Sequence, residues 1–539
     1  MRLPHLDTLP LKADDIDRLP PLHLAAYSND MRGVSALIES GADVNAEDGF
    51  GWTPLHRAVR HPTTESLDML IEAGADPERR TPRQATALHI ALLFGASNCA
   101  MALIAAGADV HACNEQKITP LHVAAGRNAV SVLLRLIEAG VDPAVRDNWK
   151  SVPLHYAAGG DCVEAISELV KAGADIDAKE KNGNTPLHYA AREDCVKAIS
   201  ELVKAGADID AKDKYGRTSL AHAAVMGKAG AASILIEVGA DIGGAGAKAA
   251  PLHWASYFDR EAPIAVLLGA GCDVDLPDSY GMAPLHFAAF KDAVRAASAL
   301  LSAGADIRAK ANLCSRPWDL PRLVGPEFAE RAEKSRLWEQ IVLHGMECTP
   351  LHAAAFCNAA GVVSALLDAG ADPDARAEYG SVPLHFAAMG HAAESAGVLL
   401  DRGACPNLRD GDWHTPLHVA AKNDAAPVIR CLAERRGDVN ARNRFGSFPL
   451  HLAARFDAAE AVSELVAVGA ELNLRNPEGR APLHDAAEFG ASTAARALSA
   501  AGATIGKARY AGDSDAYDVN AFVFDARAKP RLAELLGNS

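Results

Sequence analysis

A histidine returns along this chain at an interval that only a repeating architecture can hold. It closes a Pro-Leu-His triplet, or a near relative, at His23, His56, His89, His122, His155 and His188. After a lapse at Ala221 it resumes at His253 and His286, and after a second at Asp319 it runs through His352, His385, His418, His451 and His484. The step is 33 residues, apart from one residue lost before His253. Self-similarity at such a period means stacked supersecondary units, each too small to bury its own apolar face and dependent on its neighbours for a core.

Every unit repeats one physical pattern. In Thr185-Pro186-Leu187-His188-Tyr189-Ala190-Ala191 the threonine stands where an N-cap accepts an amide hydrogen bond, and the proline takes the first helical position, where its missing donor costs nothing. The paired alanines let neighbouring helices approach. A second amphipathic helix follows, as with Val163, Ile166, Leu169 and Val170, and ends in Gly-Ala-Asp, the glycine supplying a left-handed C-cap. A polar turn such as Asp213-Lys214-Tyr215-Gly216 then carries the chain out and back. With T-P-L-H-x-A-A, a second helix, G-A-D-I-D-A and a D-x-x-G turn, the chain resembles the ankyrin repeat family over roughly residues 19–539, in about sixteen units. The resemblance implies an all-α solenoid of helix-turn-helix pairs with protruding β-hairpin-like turns, curved as the pairs stack.

Residues 161–183 and 194–216 differ at three of 23 positions, one of them Asn182 against Tyr215 at the turn, so a whole repeat has been duplicated and its tip changed. Two stretches break the pattern. Ser315-Arg316-Pro317-Trp318-Asp319-Leu320 and Ser514-Asp515-Ala516-Tyr517-Asp518-Val519 replace the usual helix start, as in the degenerate capping repeats that close such arrays. One of them lies mid-chain. The expected organisation is therefore a first array over 1–345 and a second over 346–539, with one continuous stack as the alternative and the junction around Arg316–Met346 as the weakest point. The turn at Gly243-Gly244-Ala245-Gly246-Ala247 has also lost its usual aspartate.

The formal charge of −16 argues against sequence-independent nucleic-acid binding, which relies on basic residues releasing counterions, and leaves room for basic partners. No apolar run approaches the ~18 residues that span a bilayer, and the opening residues lack the continuous apolar stretch of a signal peptide. The ten cysteines are scattered singly, and we read them as reduced thiols in the cytoplasm, with the nucleus as an alternative. No catalytic constellation, cofactor or metal is expected. His344, Cys348, His352 and Cys357 lie close in sequence, but their spacing fits no common zinc finger and His352 belongs to the repeat motif. Gly243–Gly246 lacks the lysine and hydroxyl residue of a phosphate loop, Asp319 and Asp518 have no nucleophile or base beside them, and only about eighteen residues precede the first repeat.

The family resemblance places partner contacts at the turn tips, four to six residues before the motif histidine, and at the end of the first helix, four or five after it. These positions hold Tyr27, Phe50, Trp52, Phe94, Trp149, Tyr215, Tyr257, Phe258, Tyr280, Phe290, Phe356, Tyr379, Trp413, Phe445, Phe456 and Phe489, sixteen of only 29 aromatic residues. Such a strip is what binding hot spots use, although the helix-end members can instead pack against the next repeat. The expected function is a non-enzymatic scaffold or adaptor that holds other proteins, with monomer as the favoured state. Narrower alternatives are the substrate-recognition subunit of a ubiquitin ligase and a host-directed effector of an intracellular microbe; an enzyme or metal site near 344–357 ranks last.

Overall fold

The computed structural model describes residues 18–244, 249–279, 281–312 and 347–504, together with Ile16, Pro530, Ala533 and Glu534. The chain divides into two compact units, Met1–Ala247 and Lys248–Ser539. Among the described residues each unit holds seven helix pairs, from Pro21–Tyr27 with Met31–Glu39 to Ser219–Met226 with Ala229–Glu237 in the first, and from Pro251–Tyr257 with Glu261–Gly269 to Pro482–Phe489 with Ser492–Ala500 in the second. Within a unit, first helices pack on first helices and second on second. The two-residue strands Ala311–Asn312 and Glu347–Cys348 are the sole extended pair among the described residues, so the fold is all-α.

Most first helices start on an extended residue followed by proline, with Thr185 at φ −90° and ψ 169° ahead of Pro186. The threonine does not cap alone. The backbone N–H of Thr185 donates to Nδ1 of His188 at 3.2 Å, and its hydroxyl lies 2.9 Å from the same nitrogen. Where the repeat has Val152 instead, the backbone bond to His155 persists at 3.2 Å. Where the histidine is missing, Thr218 Oγ1 accepts from the N–H of Ala221 at 3.3 Å, the conventional arrangement. The alanine pairs, among them Ala157 with Ala158 and Ala190 with Ala191, are fully buried between neighbouring first helices. After Val163–Lys171, Gly173 takes φ +90° and lets the N–H of Ala174 reach back to Leu169 O at 3.0 Å.

Successive repeats are tied by hydrogen bonds of fixed span. His89, His122, His155 and His188 each direct Nε2 at a carbonyl 29 residues ahead, on Ile118, Ser151, Asn184 and Arg217, at 3.0 to 3.2 Å. A second tie runs 37 residues, from the N–H of Ala198 to Asp161 Oδ1 and from Ala231 to Asp194 Oδ1, at 2.8 and 2.7 Å. In the second unit one junction departs from both spans. His286 Nε2 meets Cys348 O at 3.2 Å across 62 residues, and the N–H of Val362 donates to Asp292 Oδ1 at 2.8 Å across 70. Each is longer than normal by one repeat period of 33, and Pro284–Phe290 packs directly on Pro350–Cys357. The expected boundary at 345, the weak junction at 316–346 and both degenerate helix starts lie outside the described residues.

Candidate protein-binding surface

The turn tips are built from their own acidic residue. Asp147 Oδ1 accepts the N–H groups of Trp149 and Ser151, both at 2.8 Å, while Oδ2 accepts the phenol of Tyr156 at 2.8 Å. Asp48 does the same for Phe50 and Trp52 and binds the buried Arg57 at 2.8 and 2.6 Å. Asp213 holds Tyr215 and Arg217 and meets His222 at 3.0 Å. Burial pushes Asp213 upward, yet hydrogen bonds from His222 and Arg217 and their charges hold it well below the usual carboxylate range. The turn acid is thus bridged to the residue that follows the motif histidine, a second-helix-independent brace that fixes where the tip side chains stand.

Adjacent tips are also bonded to each other. The N–H of Asn148 donates to Gln116 O at 3.0 Å, Lys181 to Trp149 O at 2.8 Å and Lys214 to Asn182 O at 2.9 Å. In the second unit Gly411 donates to Tyr379 O at 2.7 Å and Arg444 to Asp412 O at 3.1 Å. The first residue of a tip reinforces this ladder: Arg146 Nη1 donates to carbonyls of its own tip and of the next, Lys150 and Lys179, at 3.1 Å each, and Arg376 does so at Gly380 and Arg409.

On this framework the sixteen expected residues separate into groups. Phe50, Phe94, Trp149, Tyr215, Phe258, Tyr379, Trp413, Phe445 and Phe489 are exposed, and among the described residues no other aromatic side chain is. Tyr27 and Phe456 are half-buried. Trp52, Tyr257, Phe290 and Phe356 are buried, so these four belong to the packing between repeats rather than to the exposed strip. Tyr280 lies outside the described residues. The helix-end positions account for three of the four buried residues, because a large side chain there can fold down onto the neighbouring first helix.

A feature absent from the sequence reading is the cation over many of these rings. Arg60 sits between Tyr27 and Phe94, 5.0 and 4.4 Å from the ring centroids. Lys214 and Arg217 flank Tyr215 at 4.9 and 5.0 Å, Arg409 covers Trp413, Arg444 covers Phe445, Lys422 covers Phe456 and Arg455 covers Phe489. Guanidinium and ammonium groups favour the negative face of a ring, and at exposed sites each contact contributes about 0.5–1 kcal/mol. A signal existed at some tips, in the lysine or arginine next to Trp149, Tyr215 and Phe445.

The motif histidines are structural. In His89, His122, His155 and His253 Nδ1 faces donors and Nε2 faces a carbonyl, which defines the neutral Nε2–H tautomer, and burial pushes all four down to about 4. Both nitrogens of His352 are occupied in this way, by Thr349 and by Ala375 O at 3.1 Å, while Cys348 is buried in the short strand pair and His344 lies outside the described residues. Among the described residues no group of three or more His, Cys, Asp or Glu side chains converges. None of their helices is long and apolar enough to cross a membrane.

Helix pairs tied at constant span, with a ladder of braced tips carrying exposed rings, define a protein of tandem helical repeats. Comparison with known families agrees. The model for ankyrin repeats in sets of three matches residues 6–81, 63–147, 121–213, 154–245, 332–410 and 417–508, and the single ankyrin repeat model matches 280–312. The chain belongs to the ankyrin repeat family. Among solved structures it matches the human ASB11 ankyrin repeat domain at 27% identity, over 41% of this chain and 99% of that one, with a TM-score of 0.38. No curated protein matches.

Proposed function

We propose that this protein is a non-enzymatic scaffold that holds partner proteins along its turn tips and the adjoining first-helix ends. Ankyrin repeats as a family mediate protein–protein interaction, and the observation that carries the reading here is the location of the exposed rings. Every exposed aromatic side chain among the described residues stands at a tip or a first-helix end. Large rings left in water on a rigid frame are the residues that dominate binding energy when an interface forms.

The test separates surface from scaffold. Trp149→Ala with Tyr215→Ala removes two tip rings whose side chains stand outside the packing between helices, so each change costs less than about 0.5 kcal/mol of stability. At an interface each ring contributes about 2 kcal/mol or more. Leu187 is fully buried, and Leu187→Ala costs about 2–5 kcal/mol of local stability. In affinity purification from the native cell, the double tip variant melts with the parent and loses partners, while the leucine variant melts early. Full partner recovery by the tip variant removes these rings from the binding surface.

A further inference from the structure

We propose that the three tips within residues 146–217 dock an acidic, extended peptide segment of a partner protein. This rests on the protein-binding reading above and adds the chemistry of the ligand. The whole chain carries a formal charge of −16, yet the turn tips of this stretch present lysines outward. Its three turn acids, Asp147, Glu180 and Asp213, are buried. They are consumed by their own turns: Glu180 Oε1 accepts Asn182 N–H at 2.9 Å, Asn184 N–H at 3.2 Å and the Asn184 amide at 2.7 Å, as Asp147 and Asp213 accept theirs. Lys150, Lys181 and Lys214 are exposed on the same tips. Among the described residues no carboxylate pairs with any of the three; Lys214 Nζ donates to Asn182 Oδ1 and lies 4.9 Å from the Tyr215 ring centroid. Anions point in, cations point out.

The spacing selects an extended ligand. Backbone bonds from Lys181 to Trp149 and from Lys214 to Asn182 hold consecutive tips in register. Stacked helices lie about 8–10 Å apart, and a chain extended in the polyproline II form advances about 3.1 Å per residue with three residues per turn. A carboxylate at every third residue therefore meets one lysine per tip, and apolar residues between them meet the exposed Trp149 and Tyr215. A nucleic acid is the less favoured polyanion. Its affinity grows with the number of phosphates neutralised, and three lysines neutralise few, while the remaining negative surface repels a long charged strand. A short acidic peptide feels mainly the charges within about 8 Å at physiological salt.

Fluorescence anisotropy on the full chain tests this with a labelled peptide repeating Glu-Ser-Leu, its counterpart repeating Lys-Ser-Leu, and a labelled uridine oligomer. The acidic peptide binds, several-fold more weakly at about 300 mM than at about 50 mM salt. Its affinity drops about tenfold or more in the variant carrying Lys150→Glu, Lys181→Glu and Lys214→Glu, and by a smaller factor with glutamine at all three, which guards against a folding defect in the first. Both variants keep the parent melting temperature. Equal binding of the lysine peptide, tighter binding of the uridine oligomer, or unchanged affinity in the glutamine variant overturns the proposal. If the charge-reversed chain still retrieves every partner that the parent retrieves, the acidic ligand fails while protein binding by the strip stands.

Discussion

At the residue scale the motif histidine does the most for its size. One ring joins a helix start to the backbone of the next repeat, and the bond that Nδ1 accepts at the helix start needs it neutral. His188 and His418 are pushed down to about 3 and His451 to about 4, burial being the largest cause in each. The unfolded chain holds these rings at the ordinary 6.5, so it binds more protons than the folded one between the two values. The stability the histidines contribute is complete above pH 6.5 and is lost as pH falls toward about 4, at about 1.4 kcal/mol per pKa unit and site. The midpoint of urea unfolding should fall steeply between about pH 7.5 and pH 5. Acidification also relieves the self-repulsion of a chain of charge −16, which acts in the opposite direction. A midpoint that holds or rises across this range would show that the histidines are not the dominant titrating groups.

At the element scale the second helices start on a residue of the preceding repeat. Asn128, Asp161, Asp194, Asp259, Asp292, Asn358, Asp424 and Asp457 all take positive φ, and their side chains accept N–H groups near the next second-helix start. Aspartate and asparagine tolerate the left-handed conformation better than other non-glycine residues, so the same residue type serves the turn and the cap. Asp161 therefore predicts an ordered series of variants. Asp161→Asn keeps both roles and should be near neutral. Asp161→Gly keeps the backbone and loses the side-chain acceptor for the next repeat, about 1 kcal/mol. Asp161→Ala loses the cap and adds the left-handed penalty, a further 1 kcal/mol or so. Urea titrations that rank alanine level with asparagine would refute the cap. These caps were legible in the chain, since an Asp or Asn recurs six residues after most motif histidines, but only as a pattern. The partner 37 residues on is visible only once the repeats are stacked.

At the scale of the whole molecule the mid-chain junction carries the clearest expectation. The ties from His286 to Cys348 and from Asp292 to Val362 span one repeat period more than their equivalents elsewhere. Removing residues 313–345 returns both to the usual 29 and 37 and leaves a turn of ordinary length between Ala309 and Thr349. The deleted chain should keep its helical signal per residue. Its melting temperature should stay within about 4 °C of the parent, the shift of about 1 kcal/mol in units of this size. Loss of cooperative melting in the deleted chain would mean that the 33 residues support the stack.

The sequence by itself determined the unit, its length and its helical grammar, because these rest on local chemistry: a proline at a helix start, a glycine past a helix end, apolar residues at helical spacing. The exposed rings stand at tips and first-helix ends where the sequence expects them, Phe50, Trp149, Tyr215, Tyr379, Trp413 and Phe445 at tips and Phe94, Phe258 and Phe489 at helix ends. The sequence did not separate Trp52, Tyr257, Phe290 and Phe356 from that strip, since burial of a ring at a repeat edge depends on the shape of the adjacent repeat. Nor could it show that repeats flanking residues 313–346 pack directly on each other. A constant period in the chain is compatible with stacking or skipping any one unit. Which pairs touch was decided in three dimensions, by whether each first helix finds a partner with small alanines and a carbonyl waiting for its histidine.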